Sequence, residues 1–254
     1  MKNLFLSLSI VAVMLTSCSK SDDSPNPSAG GPMPSKIVTT FSSSTFVVTS
    51  NFTYSGNKIV EENTLPAADI SKRKYTYTGD NITKVEFFAG PTFTPYGGFN
   101  FTYDSGKLKT TTEIAQTGLT GDLRKETLVY NADGTVTWTS SGINQITGAE
   151  TPNGRQMRYT YTSGFLIKSE SISMGIIGQV TDYTNDTSRN QAFKNVLGYN
   201  QIELRGNLRL SENYIGNTGA NRNYVYTYNT SNYPTQVVDS NVAGTNSNTQ
   251  VFTY

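Results

Sequence analysis

Few side chains in this 254-residue sequence can carry the common forms of enzyme chemistry. Histidine is absent and Cys18 is the only cysteine. Nucleophilic arrangements of the Ser-His-Asp and Cys-His types therefore cannot be assembled, and neither can a zinc site built from cysteine and histidine. The sequence also contains no Gly-x-x-x-x-Gly-Lys phosphate loop and no Gly-x-Gly-x-x-Gly dinucleotide motif. We expect no cofactor and no metal ion.

Carboxylates are the remaining candidates for acid–base chemistry or calcium binding. Asp80, Asp104 and Asp133 lie in turn-like segments, without the dense spacing of a calcium loop. Their side chains are therefore expected to stabilise turns. Glu61 and Glu62 are adjacent, so within a strand they face opposite ways and do not form a catalytic pair. Glycosidase carboxylates contributed by distant strands remain an open alternative, because spacing along the chain does not reveal them.

Cys18 is the one residue whose surroundings indicate a covalent modification. It follows Lys2 and an apolar run from Leu4 to Leu15 that is too short to span a bilayer comfortably. The sequence Leu15-Thr16-Ser17-Cys18 matches all four positions of a bacterial lipobox, in which small residues admit the chain to a peptidase and the thiol receives diacylglycerol. We therefore predict a signal peptide over residues 1–17 and lipidation of Cys18. Several acyl chains on one residue would hold the protein stably on a membrane.

The residues after the lipobox indicate where the protein is carried. Lys20, Asp22 and Asp23 form a charged cluster similar to the surface-export signal of Bacteroidota lipoproteins, with ordinary linker charges as the alternative. The following residues are rich in Pro, Gly and Ser and cannot build a core. The sequence thus predicts a lipidated flexible tether over residues 18–35. It also predicts an outer-membrane location that faces the cell surface, with the periplasmic face as the alternative.

The rest of the chain repeats one hairpin unit. A first strand ends in aromatic-Thr-Tyr or a close variant, a turn of Gly, Asn, Asp or Ser follows, and a second strand alternates apolar with polar residues. The motifs start at Phe52, Tyr75, Phe101, Leu128, Tyr159 and Tyr226, and residues 252–254 form a half-unit. Aromatic residues two apart lie on one face of a strand, and Gly and Asn tolerate the positive φ that tight turns require. Such repeats predict an antiparallel up-and-down meander of roughly a dozen strands.

One all-β domain is therefore expected over residues 36–254, as a curled sheet or a barrel. Residues 252–254 lack a partner within their own unit, so we expect them to close the sheet against another edge. Three stretches depart from the hairpin pattern. Residues 90–98 and 139–154 contain prolines and many glycines, which exclude them from central strands. Residues 182–195 are predicted to form a long loop with one helical turn.

Aromatic side chains give the clearest candidates for binding. Most tyrosines recur with the hairpin itself, so we expect them and Trp138 to fill the sheet core, although both could stack on sugar rings. Phe93, Tyr96, Phe99 and Tyr183 lie in predicted loops, where binding residues concentrate, and are the candidate ligand-binding residues. The candidate partners are a glycan or a protein. A net charge of +1 gives no indication of nucleic-acid binding.

The hairpins resemble the tyrosine-aspartate repeats of Rhs-type proteins. They resemble more closely a family of uncharacterised Bacteroidota lipoproteins, described as a domain of unknown function with a porin-like fold. That resemblance rests on the Tyr-Thr-Tyr hairpins, on Phe193-Lys194-Asn195 at the end of a long loop, and on Tyr233-Pro234-Thr235 in the last full hairpin. The family has Asn-Pro where this chain has Gln191-Ala192. The resemblance covers residues 37–254 and implies a curled sheet or barrel but no activity.

The composition of the strands bears on the environment of the barrel and on its function. A membrane-spanning barrel presents an apolar band to lipid, whereas strands such as residues 107–113 carry Lys, Thr and Glu there. We therefore expect the barrel to lie outside the bilayer. The favoured function is a non-catalytic surface or periplasmic lipoprotein that binds a ligand or partner or has a structural role in the envelope. The alternative is a carbohydrate-active enzyme that uses carboxylates without histidine.

Overall fold

The computed structural model describes residues 31–66, 70–116, 118, 120–202, 208–244 and 246–254. The described residues form sixteen strands, a four-residue helix and one short 3-10 turn, which confirms the all-β class and exceeds the predicted dozen strands. None of the described helices is long or apolar enough to cross a membrane. The signal peptide, Cys18, Lys20, Asp22 and Asp23 lie outside the described residues.

The strands follow one another with short connections. They are β1 (Lys36–Phe41), β2 (Val47–Ser55), β3 (Lys58–Leu65), β4 (Lys72–Thr78), β5 (Asn81–Ala89), β6 (Thr94–Asp104), β7 (Lys107–Ile114), β8 (Leu123–Tyr130), β9 (Thr135–Ile143), β10 (Glu150–Thr162), β11 (Phe165–Ser173), β12 (Ile176–Asn185), β13 (Arg209–Ile215), β14 (Arg222–Tyr228), β15 (Pro234–Asn241) and β16 (Ser247–Thr253). Helix α1 (Tyr199–Ile202) precedes β13, and the 3-10 turn (Thr218–Ala220) follows it.

The sixteen strands close into a barrel. Each strand pairs antiparallel with its neighbours in sequence, and β1 pairs with β16 in a register that runs from Lys36 opposite Thr253 to Phe41 opposite Asn248. The prediction that the last strand closes the sheet is therefore confirmed. Of the two architectures that the sequence left open, the closed barrel is the one formed. Closure removes the unpaired edges that would otherwise invite aggregation.

Because successive strands run in opposite directions, their connections alternate between two ends of the barrel. One end, here termed the plugged end, carries Ser35, Tyr254, the short turns of the hairpin units and residues 186–202, here termed the plug. The opposite end is termed the rim. Its eight connections are residues 42–46, 66–71, 90–93, 115–122, 144–149, 174–175, 216–221 and 242–246.

The turns of the plugged end explain why the repeats fold as hairpins. Ser105 and Gly106 have φ values of 51° and 78°, and Ser163 and Gly164 have values of 50° and 79°. Two successive left-handed residues form the two-residue turn whose twist matches that of the flanking strands. The Gly, Asn and Ser residues at these positions therefore fix the register of each hairpin, as the sequence predicts.

A β-bulge lies beside each of these turns, and the sequence pattern did not predict it. In the first unit the register shifts between Thr53 and Tyr54, so the second strand turns Ile59 and Glu62 inward, three residues apart instead of two. The same shift beside the aromatic-Thr-Tyr motif recurs in four more units. There the inward pairs are Ile82 and Val85, Leu108 and Thr111, Leu166 and Ser169, and Pro234 and Val237.

The hydrophobic core lies at the plugged end. The second residue of each strand that leaves a two- to four-residue turn there is apolar and buried, and these residues are Ile59, Ile82, Leu108, Val136 and Leu166. They form one cluster with Val196 of the plug. Burial of each such side chain stabilises the fold by about 1.5–3 kcal/mol, so the plugged end is the part of the barrel that packing holds most firmly.

Three boundaries differ from those expected. Pro95 and Pro152 lie within β6 and β10, although their segments were predicted to be connections. The strands tolerate them because the register shifts next to each proline, at Phe87/Phe88 and after Pro152, and bulges accommodate proline. Residues 182–185 end β12, and the predicted loop therefore begins at Asp186.

The last residues assigned to the tether pack against the plugged end. Tyr54 Oη donates a hydrogen bond of 2.7 Å to the Pro34 carbonyl, and Asn195 Nδ2 donates one of 2.8 Å to the Pro32 carbonyl. Pro34 is fully buried, and Met33 packs against the core. The packed domain therefore includes residues 31–35.

Candidate functional site: the barrel cavity

The barrel encloses a cavity of about 750 Å³. Small-molecule sites in proteins have volumes of roughly 300–1,000 Å³, so this one is large enough for a ligand. Inward side chains of β1–β9 and β14–β16 form its wall, and Gln191, Ala192, Phe193, Tyr199 and Asn200 of the plug close it at one end. With the plug as its floor, the cavity faces the rim.

Aromatic stacking holds the floor in place. The Phe193 ring stacks on Tyr199 with centroids 4.4 Å apart, and its edge meets the Phe52 ring at 5.3 Å. Edge-to-face and offset-stacked rings attract each other beyond their burial. Val196 and Asn195 beneath them are fully buried. The floor is thus a packed element of the barrel.

Hydrogen bonds fasten the plug to the turns around it. Asn195 Nδ2 donates to Tyr233 Oη at 2.8 Å, the Leu197 amide donates to the Asn57 carbonyl at 2.9 Å, and Tyr77 Oη donates to the Leu197 carbonyl at 3.2 Å. Gly198 has a φ of 70°, and a Cβ there would lie 2.7 Å from the Asp80 carbonyl oxygen. The plug therefore needs glycine where it passes the β4–β5 turn.

One side of the wall is apolar and aromatic. Phe87 and Phe99 meet edge to face with centroids 5.5 Å apart, and Phe101 lies 6.4 Å from Phe99. Leu128 and Trp138 continue this surface on β8 and β9, where they are directly opposite each other in the register. The Trp138 indole makes no hydrogen bond within the described part of the chain. A ligand here would meet ring faces and one indole.

The other side of the wall carries a charged pair. Arg73 Nη1 lies 2.8 Å from Glu62 Oε1, which also accepts a hydrogen bond of 2.9 Å from Ser50 Oγ. Tyr75 Oη donates to Glu62 Oε2 at 3.2 Å. Burial, followed by the neighbouring Tyr199 and Glu62, raises the pKa of Tyr75 well above its usual value, so this hydroxyl remains a donor. Burial lowers the pKa of Arg73, but Glu62 more than offsets this effect and the pKa is raised.

A second carboxylate on the wall, Glu126, is also paired with an arginine. Arg124 Nε lies 3.3 Å from Glu126 Oε1, and Arg124 Nη2 lies 3.3 Å from Glu113 Oε1. Glu126 and Glu62 are on β8 and β3, five strands apart. At about 4.8 Å per strand spacing this is roughly 24 Å along the wall. The cavity therefore contains ion pairs on two separate sectors.

The sector from β10 to β13 contributes no residue to the cavity wall. Its interior is filled by core residues such as Tyr159 and Leu166 and by a polar network around Glu212. Glu212 accepts hydrogen bonds from Tyr214 Oη at 2.9 Å and Tyr224 Oη at 3.0 Å, and it pairs with Arg209. Burial acts to raise the pKa of Glu212, but these donors outweigh it and the pKa is lowered. Tyr183 Oη lies 2.9 Å from Ser169 Oγ in the same sector. This network leaves the cavity to the opposite half of the barrel.

The structure disperses the four predicted ligand-binding aromatics. Phe99 faces the cavity. Tyr183 belongs to the polar network of β12, and Tyr96 lies in β6 near the rim. Phe93 is exposed in a rim turn, with Lys72 Nζ 3.9 Å from its ring centroid. All except Phe93 lie in strands, which corrects their assignment to loops.

Most of the aromatic lining was missed by the sequence analysis. Trp138 was assigned to the sheet core, and it does face inward, but it lines the cavity. Phe52, which also lines the cavity, was noted only as the start of the first hairpin motif. Phe193 was noted only as part of the family resemblance. Its pairing with Phe52 joins residues 141 positions apart, and no local pattern in the sequence signals such a contact.

The turn aspartates behave as structural groups. Asp133 Oδ1 accepts hydrogen bonds from the Thr135 hydroxyl at 2.7 Å and the Thr135 amide at 2.9 Å, and these bonds lower its pKa. Asp104 pairs with Lys109 at 3.1 Å. Within the described residues no three His, Cys, Asp or Glu side chains are grouped to hold a metal ion.

Two solved structures have a similar fold. A porin-like protein from Bacteroides vulgatus matches with a TM-score of 0.55 at 14% identity, over 88% of this chain and 99% of that chain. A porin-like protein from Bacteroides uniformis matches with a TM-score of 0.53 at 13% identity, over 87% and 98%. The chain matches no protein-family model and no curated protein. The porin-like fold implied by the resemblance is confirmed, whereas the lipoprotein family and the relation to Rhs repeats stay predictions.

Proposed function

We propose that the protein is a non-catalytic envelope lipoprotein whose barrel binds an uncharged amphipathic small molecule in its cavity. One observation carries the proposal: the cavity joins an aromatic wall to hydrogen-bonding side chains, and the charges of its wall are already paired. An ionic ligand would have to displace Arg73 from Glu62 or Arg124 from Glu126. The two glutamate side chains are only 10% and 19% exposed, and leaving a largely buried carboxylate without its partner is unfavourable. A molecule with apolar rings or chains and a few hydroxyl or carbonyl groups fits these surfaces. A glycan with an apolar substituent belongs to this class.

The enzymatic alternative finds no comparable support. Glycosidases use two carboxyl groups about 5–10 Å apart, one of them protonated. Glu62 and Glu126 lie on strands far apart along the wall, and each is held by an arginine. An arginine beside a carboxylate favours its ionised form, which opposes a general acid.

The outer wall supports a position outside the hydrocarbon layer. Lys84 and Glu86 pair at 2.7 Å, and Arg158 and Glu170 pair at 2.6 Å. Threonines such as Thr76 stand opposite these residues in the register, on the face away from the core. A charged side chain at the centre of a bilayer costs about 2–4 kcal/mol. Despite its porin-like fold, the barrel is in our proposal not a transmembrane pore.

Attachment to the outer membrane would come from the lipid on Cys18, and transport to the cell surface from Lys20, Asp22 and Asp23. Labelling with a clickable fatty acid should mark the wild type and leave Cys18→Ala unmarked. Proteinase added to intact cells should remove the domain, and replacement of both aspartates by alanine should protect it without loss of the label. Protection of the wild type would assign the protein to the periplasm.

Trp138 provides the test of ligand binding, because it is the only tryptophan and faces the cavity. Titration with the neutral probe N-phenyl-1-naphthylamine should quench its emission, and uncharged amphiphiles should displace the probe. Phe87→Ala removes a wall ring and should weaken binding by about tenfold. Phe88→Ala is the matched control, since Phe88 contacts Lys74 instead of the cavity. Equal affinity in both variants would place the probe outside the cavity.

A further inference from the structure

The rim carries an unusual set of exposed apolar residues. Sixteen large hydrophobic side chains are exposed among the described residues, and ten of them lie in rim connections or within two strand residues of one. They are Phe46, Val47, Leu65, Phe93, Ile146, Met174, Ile176, Ile177, Ile215 and Val242. Seven of the eight rim connections contribute at least one. Ile146 and Met174 are each 92% exposed, so the barrel itself does not use them for packing.

The connections at the two ends also differ in charge. Asp69 and Asp122 are the only charged residues in the eight rim connections. The connections of the plugged end contain Asp80, Asp133 and Asp186 as well as basic residues of the plug. Charged side chains within two strand residues of the rim are each paired with an opposite charge, and they are Lys72, Arg73, Glu113, Arg124, Glu150 and Arg222. The unpaired surface of the connections is therefore mainly apolar and uncharged polar.

Turn chemistry does not account for these residues. Met174 and Gly175 form a two-residue turn with φ values of 50° and 79°, and Phe93 has a φ of 53°. Asn, Asp or Gly would suit such left-handed positions better than a bulky apolar residue. The equivalent turn at the plugged end has Ser163 with the same φ of 50°. The methionine thus serves something other than the turn.

We propose that the rim docks on the interfacial region of a lipid bilayer, with the cavity facing the membrane. The apolar residues are spread around the circumference instead of forming one patch, which suits an extended surface. Sixteen strands spaced about 4.8 Å apart and tilted by about 40° give a ring roughly 30 Å across. Interfacial binding depends on buried apolar area. Because the basic side chains next to the rim connections are paired with carboxylates, we expect this binding to depend little on anionic lipid.

The length of chain between Cys18 and the barrel allows this orientation. The described chain begins at Gly31, at the plugged end, thirteen residues after Cys18. Thirteen residues span at most about 43–47 Å. A strand of eight residues tilted by about 40° gives the barrel a height of roughly 20 Å. A chain anchored at Cys18 can therefore place the opposite end of the barrel on the same membrane, and the anchor would keep a weakly binding rim at high effective concentration.

The test compares two matched positions in the full lipidated chain. Met174→Cys and Ser163→Cys each place a thiol in a two-residue turn, one at the rim and one at the plugged end. Each is labelled with a nitrobenzoxadiazole fluorophore and the protein is inserted into phosphatidylcholine vesicles that contain spin-labelled lipid. We expect strong quenching at position 174 and little at position 163, unchanged by 0.5 M salt. Equal quenching, quenching only at position 163, or none at either position would overturn the proposal.

A second pair of variants tests the cause of the quenching. Ile146→Asn combined with Ile176→Asn should lower quenching at position 174 by at least about tenfold. Val129→Asn combined with Val225→Asn removes two exposed residues of the outer wall and should leave it unchanged. If the rim variants instead abolish a dimer in solution, a second copy of the chain is the occupant and the lipid proposal fails. If the fluorophore also labels Cys18, the lipid anchor of the proposed function is wrong. The comparison of positions 174 and 163 would still test whether the rim docks on lipid.

Discussion

The two ends of the barrel are built from connections that differ in length and in chemistry. At the plugged end, small polar residues occupy the left-handed positions, and apolar residues turn inward to meet Val196. At the rim, Met174 and Phe93 occupy left-handed positions and remain exposed. The plugged end follows the rules by which turns and cores form, whereas the rim departs from them. Departures that stability does not explain are where functional constraints are expected.

The two ends of one continuous sheet thus have different roles: the plugged end stabilises the fold, and the rim presents an exposed surface. Packing of the plug fixes the position of the cavity floor, and it does so far from the rim. Side chains at the rim can then vary in polarity with little effect on folding. If the two roles are separate, changes at the plugged end should affect stability far more than matched changes at the rim.

Removal of residues 252–254 should have the largest effect. It deletes the inward Phe252 ring and Tyr254, whose hydroxyl donates to the Pro234 carbonyl at 2.9 Å, and it unpairs part of β1. We expect the free energy of unfolding to fall by about 5 kcal/mol or more, measured by urea denaturation. Removal of Gln145, Ile146 and Thr147 from a rim turn is the control and should cost about 1 kcal/mol. Similar losses at both ends would contradict the separation.

Introducing a carboxylate should reveal the same asymmetry. Val196 is fully buried in the plug, and Val242 is 60% exposed in a rim turn. Val196→Asp buries a charge without a partner and should destabilise the protein by about 3–5 kcal/mol. Val242→Asp should change stability by no more than about 0.5 kcal/mol. Thermal unfolding of the two variants gives the comparison, and a tolerated aspartate at position 196 would show that the plug is loosely held.

Acid should loosen the plugged end before the rim. Burial acts to raise the pKa of Asp186, but hydrogen bonds from the Ser188 amide and hydroxyl and from Tyr228 Oη outweigh it, so the pKa is lowered. A carboxylate with a lowered pKa stabilises the fold above its unfolded pKa of about 3.9, and this contribution is lost as the pH falls through the folded value. We expect the protection of the amides in residues 186–198 from exchange, relative to their intrinsic rates at each pH, to fall in acid more than that of residues 144–149. Asp186→Asn should reduce the acid-induced loss of opening free energy in residues 186–198 by about 1 kcal/mol.

The smallest effect is expected where turn geometry alone changes. Met174→Asn and Ser163→Asn place the same residue at the same φ of 50° at opposite ends. Each should raise the free energy of unfolding by about 0.5–1 kcal/mol, measured by denaturation. Only the rim variant removes an exposed apolar side chain. A loss of stability in Met174→Asn would indicate that the methionine packs within the barrel.

The local features of the fold were predictable from sequence because they depend on residues close together. Gly and Asn turns beside aromatic-Thr-Tyr motifs predicted the hairpins, and the unpaired half-unit at 252–254 predicted the closure of the sheet. The strand number was underestimated because it was taken as two strands for each of the six full hairpin units, which leaves out β1, β12, β13 and β16. Pro95 and Pro152 were taken as breaks, and only the paired neighbours show that a bulge accommodates each proline.

The cavity was less predictable than the fold. Phe99 was identified, but its role depends on Phe87, Phe193 and the paired charges of other strands. Each bulge adds one residue at a single point of a strand, so Glu62 faces inward where strict alternation from Ile59 would place it outside. Contacts of the plug with β2 and with residues 31–35 join distant parts of the chain, and local residue patterns do not predict such contacts.

The pairing of β1 with β16 has a consequence for the order of folding. Ile37 stands opposite Phe252, so the contact that completes the barrel joins residues separated by 215 positions. All other strand pairs are neighbours in sequence and can form as soon as each hairpin exists. Closing a long loop is entropically unfavourable, and such non-local contacts slow folding. Until β16 pairs with β1, the sheet is therefore a ribbon with two free edges, and the first strand and the last-formed strand expose unpaired backbone groups.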